Sequence, residues 1–218
     1  MITFHAFGRV NRAVIGETRD LRVQWTLEEL GLPYVVQGVD HDAGENLGPD
    51  FSAISPFNQI PVIEDDGFVV AESAAILLYL AEKAGRLIPA DAPGRTRVTQ
   101  WCLAALATVE TPLAEIQMID KFGRGEADPR RTELLPWAGR VLDGLERRLD
   151  GRDWIASGDF TVADILTASV LREVRHTDLL AGYPRLTDYY ARAIARPAWK
   201  QALALYADRL GVEVADIE

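Results

Sequence analysis

The hydrophobic positions of the first forty residues switch from a strand period to a helix period and back. Ile2 to Phe7 alternates apolar and polar residues only weakly, which favours a buried strand. A helix is predicted from Thr18, because three apolar residues fall at i, i+4 and i+7 and Gly31 can supply the C-terminal cap; these three are Val23, Leu27 and Leu30. Tyr34 to Val36 is predicted as a second strand. The pattern therefore indicates a strand, helix, strand unit.

The next apolar stretch predicts a β-hairpin followed by a helix. Two short runs, Ile60 to Ile63 and Phe68 to Val70, flank Asp65-Asp66-Gly67, where glycine suits a tight turn. Ala74, Leu77, Leu78 and Ala81 then form one apolar stripe of a helix that begins near Glu72-Ser73. A parallel pair of strands followed by an antiparallel pair predicts a thioredoxin-like α/β domain, in which 40–54 is a looser connection with a short helix.

The rest of the chain has helical periodicity. The segment 87–94 is predicted to be a linker, since it contains Pro89, Pro93 and Gly94. Helical stripes follow, and Val162 to Leu171 is apolar almost all round, as in a central bundle helix. Thr161 and Asp164 have the spacing of a capping box, so alanine at either should cost about 1 kcal/mol or more. The predicted domains are 1–86 (α/β) and 95–218 (all-α).

Composition narrows the function classes. The formal net charge of −10 in 218 residues disfavours a nucleic-acid-binding surface. No run of about 18 uncharged apolar residues is present, so no membrane span is predicted. The first residues lack the features of a signal peptide, and a cytoplasmic location is expected. Cys102 is the single cysteine and lies on an apolar stripe, which predicts a core residue; with the three histidines scattered, no metal site is expected.

The two ends of the hairpin–helix unit offer groups that suit a small peptide. Pro61 stands where a strand should begin, and a cis Ile60-Pro61 bond would turn the Ile60 backbone outward to pair with an extended peptide. The first N–H groups of the following helix and the Ser73 hydroxyl suit a carboxylate, while Glu72 suits an ammonium group. These residues predict a receptor for a peptide with an amino-acid head at one end.

These motifs resemble those of the soluble glutathione transferases, including bacterial ones. The resemblance rests on Gln-Ile-Pro-Val at 59–62, on Glu-Ser-Ala-Ala-Ile-Leu-Leu-Tyr-Leu at 72–80 and on 19–34, and it extends to the capping box and to the Arg-Pro-Ala-Trp at 196–199. It implies a thioredoxin-like domain followed by a C-terminal helical bundle, a homodimer, and glutathione as co-substrate without a metal. It also implies that Ile60 and Pro61 meet the cysteinyl group, that Glu72 and Ser73 hold the γ-glutamyl head, and that Gln59 lies near the glycine carboxylate.

The thiolate-stabilising residue is less clearly marked. Family members usually place a Tyr, Ser or Cys between the first strand and first helix, and the loop 8–17 contains none of these. Thr18 is the first candidate, as a hydrogen-bond donor to the glutathione sulfur, as a simple helix N-cap, or as both. Asn11 is the second candidate, and Arg9 or Arg12 could supply positive potential instead.

The resemblance implies conjugation of the glutathione thiolate to a small hydrophobic electrophile. The binding site for this second substrate is expected to be lined by the helical domain, with Gln117, Met118 and Phe122 as candidate lining residues. The alternatives are a glutathione-dependent isomerase, dehalogenase or peroxidase on the same fold, and a binding protein that keeps glutathione without turnover. A thiol reductase is disfavoured, because no cysteine lies near the first helix. Phe57 is a candidate dimer contact.

Overall fold

The computed structural model describes all 218 residues and divides into two compact units. The first unit consists of 1–86 together with 196–218, and the second consists of 87–195. The last helix of the chain therefore packs with the N-terminal residues, whereas chain order alone grouped it with the helical domain. The sequence-based division into 1–86, 87–94 and 95–218 stays a prediction.

A four-stranded mixed sheet forms the centre of the first unit. Its order is β2-β1-β3-β4, with β1 parallel to β2 and antiparallel to β3, and with β3 antiparallel to β4. This confirms the predicted thioredoxin-like arrangement. At the hairpin turn Asp66 and Gly67 both have positive φ, 50° and 88°, as a two-residue hairpin turn requires. The strands are β1 Ile2–Arg9, β2 Tyr34–Asp40, β3 Val62–Asp65 and β4 Phe68–Ala71.

Nine α-helices complete the fold. A five-residue π-helical segment, Ala105–Val109, joins the fourth to the fifth. In chain order the helices are α1 Asp20–Leu30, α2 Pro49–Ile54, α3 Ser73–Ala84, α4 Ala92–Ala104, α5 Glu110–Phe122, α6 Pro129–Arg148, α7 Val162–Arg172, α8 Pro184–Ile194 and α9 Pro197–Leu210.

Strand β2 is longer than its apolar pattern predicts. It continues from Val36 through Gln37, Gly38 and Val39 to Asp40, paired along its whole length with β1. Gly8 and Gly38 allow the two strands to approach closely, since a Cβ at Gly8 would lie 3.0 Å from backbone atoms of Gly38. Much of β2 is solvent-exposed, so hydrophobic periodicity could not mark its end.

Helix α9 packs against α1 within the first unit. The rings of Trp25 and Trp199 meet edge to face with their centroids 4.8 Å apart. At the start of α9, Arg196 Nη2 donates to Glu29 Oε2 at 2.8 Å. An aromatic pair and an ion pair thus hold the last helix beside the first.

The second unit is a helical bundle around α7. Ten of the residues of α7 are buried, as its apolar sequence predicts. The predicted capping box is present, with Thr161 and Asp164 each taking a backbone N–H at the helix start. Cys102 is fully buried, and burial raises the pKa of its thiol to about 12, consistent with a core residue.

The predicted linker 87–94 overlaps the start of α4. The helix begins at Ala92, because the Asp91 side chain accepts a hydrogen bond from the Gly94 N–H at 2.8 Å and Pro93 occupies the first turn. The continuous helix Ala92–Phe122 is also long and apolar enough to cross a membrane, by length and composition alone. Core helices of globular domains meet the same criterion.

Candidate functional site

The Ile60-Pro61 peptide bond is cis, as the sequence suggested, and it directly precedes β3. The preceding residue is held in place: the Ser55 hydroxyl donates to the Gln59 carbonyl and accepts from the Gln59 N–H, both at 2.9 Å. The Ile60 side chain is buried in an apolar cluster with Val39, Phe51 and Val62. Its backbone N–H and C=O have no intramolecular hydrogen bond, so they remain available to a ligand.

Glu72 and Ser73 lie at the same end of the hairpin as this proline. Val62 pairs with Ala71, so the next positions outward are Pro61 on one strand and Glu72 on the other. Glu72 has a φ of 71° and a ψ of 118°, a backbone conformation that residues other than glycine rarely adopt. This backbone bend directs the chain from β4 into α3, whose first residue is Ser73.

The polar groups at this corner have no partners in the protein. Ser73 is only 5% exposed, and its hydroxyl makes no hydrogen bond within the chain. Glu72 is exposed and its carboxylate forms no ion pair. Since the first N–H groups of α3 also lack intrahelical acceptors, the corner presents several donors and one carboxylate to a ligand.

The loop after β1 begins at the same end of the sheet as the cis-proline and Glu72. His5 pairs with Val62, so the antiparallel register carries the end of β1 past Ile60. Asn11 begins a 3₁₀ turn, and its Oδ1 accepts the Ala13 N–H at 3.0 Å. Its side-chain amide nitrogen makes no intramolecular hydrogen bond and is free to donate.

The two arginines at the end of β1 and in the loop after it are exposed. Arg9 Nε lies 3.9 Å from Asp42 Oδ2, and the Arg9 side chain is 73% exposed. Arg12 forms the 3₁₀ turn after Asn11 and has no ion-pair partner in the chain. Their charges face solvent, where they act on a ligand through a screened field.

Thr18 does not act as a helix N-cap. The N-cap position of α1 is occupied by Arg19, which makes no side-chain capping bond. The Thr18 hydroxyl instead donates to Asp20 Oδ1 at 2.6 Å and lies 2.6 Å from the Tyr206 hydroxyl. The N-cap alternative is therefore wrong, because the cap position lies one residue later and the Thr18 hydroxyl oxygen accepts no backbone N–H of α1.

Asp20 and Arg209 form a buried ion pair beneath this loop. Asp20 is fully buried, and Arg209 Nη2 donates to its Oδ2 at 2.8 Å. The Phe7 N–H donates to the same oxygen at 3.2 Å. Burial raises the pKa of Asp20, and the Arg209 guanidinium opposes that rise. Sequence patterns gave no signal for this pair, since its members are 189 positions apart.

A cavity of about 500 Å³ lies elsewhere in the first unit, between the sheet and α2. It contains none of the predicted site residues. His5 Nε2 and Glu64 Oε1 are 2.6 Å apart on its wall, and Glu45 and Asp50 add further carboxylates. Such a lining does not suit a net anionic tripeptide. No group of three or more His, Cys, Asp or Glu side chains is placed to hold a metal ion.

Family models match both parts of the chain. Residues 21–83 match the model described as glutathione S-transferase, N-terminal domain, and 118–197 match glutathione S-transferase, C-terminal domain. A Streptococcus mutans protein described as an uncharacterized GST-like protein is 31% identical over 209 residues, covering 87% of this chain and 79% of that protein. The Escherichia coli disulfide-bond oxidoreductase YfcG is 31% identical over 193 residues, covering 81% and 86%.

Solved structures show the same similarity. A glutathione transferase family member from Pseudomonas fluorescens, with two glutathione molecules bound, has a TM-score of 0.81 at 29% identity, covering 92% of this chain and 91% of that one. A glutathione transferase from Burkholderia graminis, with two glutathione molecules per subunit, has a TM-score of 0.80 at 31% identity, covering 92% and 86%.

Proposed function

Since the chain belongs to the soluble glutathione transferase family, we propose that it binds glutathione at the corner formed by the cis-proline and the start of α3 and conjugates its thiolate to small hydrophobic electrophiles. One observation carries this proposal: the hairpin register brings the unpaired Ile60 backbone and the unpaired Ser73 hydroxyl to one end of the sheet. A homodimer and a cytoplasmic location remain predictions of the resemblance.

Each part of glutathione has a complementary group at this corner. The N–H and C=O of Ile60 pair with the cysteinyl backbone as an added strand would. The Ser73 hydroxyl and the first N–H groups of α3 bind the γ-glutamyl carboxylate, and Glu72 binds its ammonium group. The Gln59 side chain, which is exposed, is assigned to the glycine carboxylate. The net charge of −10 makes such local donors essential for an anionic ligand.

The reaction requires ionisation of the glutathione thiol. The sulfur gives up its proton to solvent, attacks the electrophilic carbon and forms a C–S bond. In a substitution the displaced electron pair departs with the leaving group. In an addition to an activated double bond, the π electron pair moves onto the activating group, and the product then takes up a proton from solvent. A free thiol with a pKa near 8.5 is only a few per cent ionised at pH 7, so a donor beside the sulfur raises the rate. Thr18 can donate only by turning its proton away from Asp20, whereas the Asn11 amide already has a free N–H.

Replacing Ser73 with alanine is expected to weaken glutathione binding about 5- to 150-fold, the equivalent of roughly 1–3 kcal/mol for a lost charge-assisted hydrogen bond. Isothermal titration calorimetry measures the change. Ser157→Ala is the matched control, because that hydroxyl bonds only within its own surface loop of the other unit. Equal affinities for wild type and Ser73→Ala would remove Ser73 from the site.

Thiol ionisation in the bound complex distinguishes the two donor candidates. The thiolate absorbs in the ultraviolet, at wavelengths shorter than the aromatic band of the protein, where the thiol does not, and its titration gives the pKa of bound glutathione. If Thr18 is the donor, Thr18→Val raises that pKa towards the free value and Asn11→Ala leaves it unchanged; the reverse result assigns the role to Asn11. A pKa unaffected by both changes would contradict both assignments.

The relative YfcG supports a second candidate function, thiol–disulfide exchange. In this chain Cys102 is buried and its pKa is raised to about 12, so any exchanging thiolate would have to come from glutathione itself. Product analysis separates the candidates. Conjugation yields a thioether, whereas isomerase or dehalogenase activity yields the isomerised or dehalogenated substrate. Exchange and peroxidase activity both yield glutathione disulfide, and their reduced co-products distinguish them: a thiol from exchange with a disulfide, and an alcohol from reduction of a hydroperoxide. Tight binding with an unshifted thiol pKa would indicate the non-catalytic alternative.

A further inference from the structure

The last helix contacts the loop that carries both donor candidates. Tyr206 of α9 is fully buried, and its hydroxyl oxygen accepts the Gly16 N–H at 2.9 Å. The same hydroxyl lies 2.6 Å from the Thr18 Oγ1. One side chain, about 190 positions away in sequence, therefore holds two points of the segment 16–18.

The hydrogen bonds around Tyr206 have a definite direction. Thr18 donates its single proton to Asp20, so Tyr206 must donate to Thr18. Burial raises the pKa of Tyr206, which keeps this donor protonated across the neutral pH range. A donor that points at the Thr18 oxygen polarises the threonine O–H and strengthens it as a hydrogen-bond donor.

The Thr18 proton can be redirected without leaving Asp20 unsatisfied. Asp20 Oδ2 keeps its bonds from Arg209, at 2.8 Å, and from the Phe7 N–H, at 3.2 Å. Asp20 therefore remains stabilised if Thr18 turns towards a thiolate. Tyr206 would continue to donate to Thr18 in that arrangement, since its own geometry does not change.

The C-terminal residues also contact the same loop through the side chain of Ile217, which packs against Gly16. Gly16 has a φ of 93°, and a Cβ built on it would lie 3.0 Å from the Cβ of Ile217. Ile217 is 4% exposed and follows a short 3₁₀ turn after α9. The backbone at Gly16 is thus fixed by Tyr206 through a hydrogen bond and by Ile217 through packing.

We propose that Tyr206 is a positioning residue for the glutathione thiolate: it orders the loop at Gly16 and polarises Thr18, which donates to the sulfur. This inference rests on the proposed function and deepens it. It names the group that enables Thr18 to act as the hydrogen-bond donor to the sulfur, in a loop that lacks the usual tyrosine, serine or cysteine. Tyr206 itself touches neither the sulfur nor the electrophile and acts through Thr18.

The test is Tyr206→Phe, assayed with glutathione and a chromogenic aryl halide. The pKa of bound glutathione should rise by about one unit and kcat should fall about tenfold, as loss of one hydrogen bond to the donor predicts, while the Kd for glutathione stays within about twofold. Tyr79→Phe is the matched control, because it also removes a partly buried tyrosine hydroxyl from the first unit. That hydroxyl donates to Asp65 of the hairpin at 2.7 Å. It should leave the bound-thiol pKa unchanged.

Ile217→Ala provides a second variant that deletes no hydrogen bond. It loosens Gly16 from the other side and should raise the bound-thiol pKa by a smaller amount than Tyr206→Phe. If Tyr206→Phe does not fold, this variant tests the ordering of the loop at Gly16, and an unchanged bound-thiol pKa would then contradict the proposal. A thiol pKa and kcat equal to wild type in every folded variant would overturn the inference. Failure of wild type to bind glutathione would instead overturn the proposed function.

Discussion

Replacing Asp164 with alanine is expected to lower the free energy of unfolding by about 4 kcal/mol, because several buried donors lose their acceptor at once. The side chain is fully buried and accepts the N–H groups of Ile155 and Thr161, each at 2.8 Å. It also accepts the hydroxyls of Thr161 and Tyr189, each at 3.0 Å. Chemical denaturation followed by far-ultraviolet circular dichroism measures the loss.

Thr161→Ala separates this network from an ordinary helix cap. That change removes one capping hydroxyl and should cost about 1 kcal/mol. The sequence alone assigned similar costs to the two positions, since both belong to the capping box. The structure raises the value for Asp164, because Ile155 and Tyr189 also depend on it. Equal losses for the two variants would contradict the wider network.

Replacing Arg209 with alanine should destabilise the protein by about 3–5 kcal/mol, the usual cost of leaving a buried charge without its partner. The Arg209 side chain is 12% exposed and Asp20 is fully buried. The same guanidinium donates to the Phe7 carbonyl at 3.0 Å and to Gln24 Oε1 at 2.7 Å. Its loss therefore also releases α9 from the end of β1.

The cost of Arg209→Ala should depend on pH. Burial already raises the folded-state pKa of Asp20, and removing Arg209 raises it further. A folded state that holds its proton more tightly than the unfolded state loses stability as pH rises through the folded pKa. The deficit is thus smallest below about pH 3.9, where Asp20 is protonated in both states, and largest at neutral pH.

A double-mutant cycle checks the origin of this effect. Asp20→Asn combined with Arg209→Ala removes the charge that Arg209 neutralises, so the double variant should lose less stability than the sum of the single changes. It should also lose the pH dependence. Additive losses, or a deficit that is the same at all pH values, would show that packing of Arg209 over Phe4 dominates, since the guanidinium lies 5.9 Å from that ring.

The geometry of the corner between the cis-proline and the start of α3 could be predicted from sequence because its signals are local. The hairpin, the proline before β3 and the apolar stripe of α3 all lie between Asn58 and Ala81, and each has a recognised turn or period. The same holds for the capping box at Thr161. In each case a few adjacent residues determine the backbone conformation, so contacts with distant parts of the chain do not change the local structure that the sequence predicts.

The loop after β1 could not be predicted in the same way. Its structure depends on Tyr206, Arg209 and Ile217, which approach it from the other end of the chain. Helical periodicity shows that α9 exists but not which unit receives its apolar face. The proton of Thr18 is likewise directed by a buried carboxylate, a contact that no spacing rule reveals. The fold was therefore accessible from sequence, whereas the contacts that hold the loop after β1 were not.

Calorimetric titration of glutathione into the wild-type protein tests the central claim most directly, with Ser73→Ala titrated beside it. The account predicts saturable binding with a Kd below about 1 mM for the wild type and weaker binding for the variant. Absence of binding heat at millimolar glutathione in protein shown to be folded, supported by absence of a thermal shift, would contradict it.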